Sequence, residues 1–91
     1  MIEQVKAIIT GRVQGVGYRF FAERVANQLK VKGYVKNLWN GDVEVLAQGD
    51  KPTLETLLIK LHEGPRMSKV TEIKVEWQPV SEEYSSFDID Y

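Results

Sequence analysis

The chain has 91 residues, 43% of them hydrophobic, and a formal net charge of −1. That supplies apolar material for one core and not two, so a single domain over residues 1–91 is expected, and the near-neutral balance gives no general attraction for nucleic acid or an anionic membrane. Cysteine is absent, which excludes disulfides, thiolate catalysis and cysteine-based metal sites.

The first residues, Met1-Ile2-Glu3-Gln4-Val5-Lys6, lack a basic region followed by an apolar stretch, and no run is long enough to span a bilayer. A soluble, cytoplasmic, monomeric protein is expected. From Gln4 to Thr10 the chain alternates, with Val5, Ala7 and Ile9 on one face, as a half-buried strand does. A glycine-spaced segment follows at residues 11–17. Tyr18, Phe21, Ala22, Val25 and Leu29 then form one apolar stripe of a helix that ends before Gly33.

Two strands are predicted over about Tyr34 to Trp39 and Asp42 to Gln48, joined through Asn40-Gly41, which favours a type I′ hairpin turn. Asp50 fits an N-cap, Pro52 is tolerated in a first turn, and Leu54, Leu57, Leu58 and Leu61 stripe a second helix stopped by Gly64-Pro65. Val70 to Pro79 reads as a fourth strand with Val75 and Trp77 on one face beside Ile73, and Phe87 to Tyr91 as a short terminal strand. Both tryptophans are expected to pack against the sheet. The order is that of an α+β, ferredoxin-like βαββαβ sandwich: an antiparallel sheet, two helices on one face, and a short extra C-terminal strand. In that topology the first and third strands are central and the first and second run the same way, so Asn37 approaches the glycine segment.

The segment Gly11-Arg12-Val13-Gln14-Gly15-Val16-Gly17-Tyr18-Arg19 lies between a strand and a helix. Glycine opens backbone conformations that let successive N–H groups converge, and a helix start adds free N–H groups and a positive dipole end. Arg19 there can grip a phosphoryl group with two parallel hydrogen bonds. The spacing matches neither the Walker loop nor the dinucleotide fingerprint. Taken alone, the string also fits a plain strand-to-helix turn followed by a surface arginine.

Together with Gly33-Tyr34-Val35-Lys36-Asn37-Leu38, Gly41-Asp42-Val43-Glu44-Val45, Gly64-Pro65, Val70 and the closing Phe87-Asp88-Ile89-Asp90-Tyr91, the string resembles the acylphosphatase family over essentially the whole chain. The resemblance implies hydrolysis of acyl phosphates with no metal and no cofactor. It also implies that residues Val13, Gln14, Gly15, Val16, Gly17, Tyr18 and Arg19 bind phosphate and that Asn37 orients the attacking water. Tyr18 stands where many relatives carry Phe, a change expected to leave the chemistry alone.

The chemistry agrees independently. An acyl phosphate releases a carboxylate, which needs no protonation to depart, so positioning and charge neutralisation suffice. A carboxamide such as Asn37 donates and accepts hydrogen bonds without titrating near neutrality. Inorganic phosphate, the product, is expected to inhibit.

Other residues are expected to be bystanders. His62 lies at the far end of the second helix without a nearby nucleophile, Arg12 points to solvent, and Asp88 with Asp90 forms a solvated strand face. An RNA-recognition domain shares the element order, but its aromatic signature belongs on the third strand, where this chain has Asp42-Val43-Glu44-Val45-Leu46. The remaining alternative is an acylphosphatase-like domain of the carbamoyltransferases that mature hydrogenases. The chain ends where the domain ends, which favours the free enzyme.

Overall fold

The structure is a computed structural model describing residues 1–91. It contains β1 (Glu3–Arg12), α1 (Tyr18–Gln28), β2 (Lys32–Asn37), β3 (Val43–Gly49), α2 (Lys51–Glu63), β4 (Lys69–Gln78) and β5 (Phe87–Asp90). The strands form one sheet in the order β4-β1-β3-β2-β5. Alternation within each strand and the register between strands set three apolar rows on the helix side. Trp77, Val5, Ala47, Gly33 and Phe87 form the first, and Val75, Ala7, Val45, Val35 and Ile89 the second. The third runs Ile73, Ile9, Val43 and then Asn37, so a polar side chain ends an otherwise apolar row.

Tyr18, Ala22, Val25 and Ala26 of α1 and Leu54, Leu57 and Leu61 of α2 close over these rows in one core cluster of 17 buried residues. Burying a large aliphatic side chain stabilises by about 1.5–3 kcal/mol. The Tyr18 hydroxyl donates to the Leu61 carbonyl at 2.6 Å. That carbonyl would ordinarily accept from the residue four positions on, which is Pro65 and has no N–H. Tyr18 therefore satisfies an orphan acceptor at the end of α2 while fixing the start of α1.

On the opposite face, Gln48 donates to Gln4 (2.7 Å) and to the Glu82 carbonyl (2.6 Å), and Gln4 donates to Gln78 (2.7 Å). Tyr84 N–H donates back to the Gln48 side-chain oxygen Oε1 at 2.9 Å. These bonds pin the segment between β4 and β5 across the sheet.

The structure corrects two expectations, the type of the β2–β3 turn and the packing of Trp39, and adds detail to three others. The sheet is mixed, because β5 pairs parallel with β2. The β2–β3 turn is not type I′: Asn40 has no positive φ, while Gly41 lies at φ 101°. Gly41 N–H donates to the Leu38 carbonyl at 3.1 Å and Leu38 N–H to the Asp42 carbonyl at 2.8 Å, which makes a three-residue turn closed by a bulged glycine. Trp39 sits in that turn beyond the strand end and is 99% exposed rather than packed. Trp77 is half-exposed on the outer strand β4, with the Lys51 ammonium 5.3 Å from its ring centre. Asp50 occupies the N-cap of α2, but its side chain makes no capping hydrogen bond.

Candidate functional site

β1 and β2 run in the same direction with β3 between them, so the segment leaving β1 and the end of β2 open on the same side. Gly15 (φ 75°) and Gly17 (φ 78°) hold left-handed backbone there. Side chains other than glycine resist that conformation by roughly 1–2 kcal/mol. Gly17 is also the N-cap of α1, and the first hydrogen bond of the helix is Phe21 N–H to the Gly17 carbonyl at 3.0 Å. The N–H groups of Gln14 through Phe20 donate to no backbone acceptor. A row of free donors thus meets the positive end of a helix dipole.

Val13, Gly15, Gly17, Tyr18, Arg19, Phe20 and Asn37 line a cavity of about 170 Å³ at this point. At roughly 30 Å³ per water molecule, the space is about that of five or six waters, suited to a tetrahedral anion with a water beside it. The Arg19 guanidinium stands 5.0 Å from the centre of the exposed Tyr91 ring, within cation–π distance. Asn37 contributes a buried Oδ1 that has no hydrogen-bond partner. Buried acceptors are nearly always paired, yet this oxygen is the one buried side-chain polar atom left unsatisfied, on a residue that also lines the cavity.

The structure brings Val13, Gly15, Gly17, Tyr18, Arg19 and Asn37 to one cavity and turns the side chains of the other two sequence-derived residues elsewhere. Val16 packs on the core, and the Gln14 side chain turns to the β2–β3 hairpin, donating to the Leu38 carbonyl at 2.7 Å and the Asp42 carbonyl at 2.8 Å. Neither Gln14's bonds nor the place of Tyr91 beside Arg19 was foreseen from sequence. No periodic pattern encodes them, although Phe20, next to Arg19 and 64% exposed, could have been read as a rim residue. The Tyr18 hydroxyl is spent on Leu61, away from any proton transfer, and burial pushes its pKa up.

His62 lines a different, apolar groove between α2 and β4 with Leu58, Ile59, Glu63, Ile73 and Val75. Arg12, Asp88 and Asp90 are exposed. No three His, Cys, Asp or Glu side chains come together as a metal-holding group, and no helix is long and apolar enough to cross a membrane.

Comparison with known proteins converges on one group. The acylphosphatase family model matches residues 5–89. An acylphosphatase of Thermus thermophilus is 49% identical over 71 residues, covering 78% of this chain and 81% of the relative. The crystal structure of acylphosphatase from Bacillus subtilis superposes with a TM-score of 0.95 at 40% identity, covering all of both chains. Full-length HypF, solved in a phosphate- and nucleotide-bound form, matches with a TM-score of 0.88 at 29% identity over the whole of this chain but only 12% of its own.

Proposed function

The chain belongs to the acylphosphatase family, whose members hydrolyse acyl phosphates, and on that premise we propose how its residues divide the work. The N–H groups of the 13–20 segment and the Arg19 guanidinium hold the phosphoryl oxygens and neutralise their charge. Asn37 accepts a hydrogen bond from the attacking water and aligns it on phosphorus. The water oxygen bonds to phosphorus as the bond to the carboxylate oxygen breaks, and the electron pair leaves on the carboxylate. The water's proton passes to a phosphoryl oxygen of the substrate itself, so the step needs neither general base nor general acid. Because the leaving group is already a weak base, His62 has no part in the reaction.

The observation that carries this reading is the meeting of Asn37 and Arg19 in one cavity beside the row of free N–H donors. The acyl group projects from the mouth past the exposed Phe20 ring, and the cavity grips only what all acyl phosphates share. Turnover of benzoyl phosphate, measured by release of inorganic phosphate before and after exhaustive chelation, is the test. Activity that survives chelation and is inhibited competitively by phosphate is expected. Activity lost with chelator and restored by magnesium or zinc contradicts it.

A further inference from the structure

We infer that Gln14 is a positioning residue whose carboxamide sets the separation between the phosphate-holding loop and Asn37. The inference rests on the division of labour proposed above. The loop leaves the end of β1 and Asn37 ends β2, two strands apart with β3 between them. At about 4.8 Å per strand spacing, the two parts of the site lie roughly 10 Å apart along the hydrogen-bonding direction. Asn37 is held by its pairing with Val43, whereas the loop lies beyond Ile9–Val43, the last pair that joins β1 to β3.

Gln14 bridges that gap. A neutral carboxamide nitrogen carries two hydrogens, and Gln14 directs both at one hairpin neck: Nε2 lies 2.7 Å from the Leu38 oxygen and 2.8 Å from the Asp42 oxygen. Those carbonyls belong to the residues that flank the three-residue turn and are joined by the Leu38 N–H to Asp42 oxygen bond of 2.8 Å. Leu38 directly follows Asn37. Gln14 itself is held between the buried Val13 and the left-handed Gly15. One side chain of the phosphate-holding loop thus ties it to the residue that follows Asn37, with no hydrogen bond to Arg19 or to Asn37 itself.

A link of this kind matters to the attack distance and not to phosphate capture, because the N–H donors and Arg19 all lie on its own side. A misplacement of about 1 Å costs on the order of a hundredfold in rate. Gln14→Met keeps the bulk and loses both donors. Gln14→Asn keeps the chemistry on a stem one methylene too short to reach both carbonyls.

The experiment measures kcat for benzoyl phosphate and the competitive inhibition constant of inorganic phosphate in both variants, with thermal melts to confirm folding. A kcat loss of about tenfold to a hundredfold is expected, with the phosphate constant unchanged within twofold. An unchanged kcat overturns the inference, as does a phosphate constant that rises in step with the kcat loss, which would make Gln14 a brace of the loop alone. The unaltered chain is the control. If it fails to turn over benzoyl phosphate, the functional reading fails; if it turns over and the variants match it, only the Gln14 inference fails.

Discussion

Arg19 is the residue on which charge neutralisation rests. Arg19→Lys keeps the positive charge but loses the planar fork. It is expected to be nearly as damaging as Arg19→Ala, with a loss of several hundredfold in kcat/KM, about 4 kcal/mol of transition-state stabilisation; a lysine variant with most of its activity would refute the bidentate grip. Tyr18 is the opposite case, a cavity-lining residue whose hydroxyl serves the fold. Tyr18→Phe leaves the Leu61 carbonyl without a donor and is expected to cost about 1–3 kcal/mol of stability while kcat stays within twofold. Burial raises the pKa of Tyr18 above that of an unfolded chain. The stability tied to its protonated form is therefore fully present below about pH 10 and lost as pH rises beyond it. Melting temperatures across the alkaline range should fall less steeply for Tyr18→Phe than for the unaltered chain.

Among the elements, the 13–20 segment and the start of α1 are the most exacting. Gly17 has left-handed backbone, and a Cβ added there would meet nothing within 4 Å, so Gly17→Ala brings strain and no clash. A stability loss of roughly 1–2 kcal/mol is expected, together with weaker phosphate inhibition, both read from melts and inhibition curves; an alanine that changes neither would mean the loop does not depend on that conformation. Element identity was legible because burial imposes a period: Val5, Ala7 and Ile9 alternate, and Leu54, Leu57 and Leu61 recur at helical spacing. The turn type was not legible. Asn40-Gly41 fits two kinds of hairpin, and the choice falls to the pairing of Asn37 with Val43 and the Leu38–Asp42 bond inside it, which leave three residues for the turn. The direction of β5 was equally hidden. Its four residues follow a long connection, and what sets them parallel to β2 lies in bonds such as Gly33 N–H to the Ser86 carbonyl at 2.9 Å.

At the scale of the whole molecule, the sheet order is what makes a site at all. It brings Arg19 and Asn37, 18 positions apart in sequence, to one cavity. That juxtaposition followed from topology, whereas the Gln14 bonds that span 24 and 28 positions did not, because a single long-range side-chain contact leaves no trace in a hydrophobic pattern. A site formed only in the folded chain couples ligand to stability. Inorganic phosphate at about a hundred times its dissociation constant should add about 2.7 kcal/mol. For a chain of this size each kcal/mol is worth roughly 4–8 °C in melting temperature. A melting point indifferent to such phosphate levels would reduce the glycine segment to a turn.

The division of labour between anion holder and water holder is tested most directly by calorimetric titration of Asn37→Ala with inorganic phosphate, beside its turnover of benzoyl phosphate. Hydrolysis should be abolished while phosphate binds with an affinity close to that of the unaltered chain. Affinity that collapses together with turnover would place Asn37 in the phosphate cradle and contradict the account.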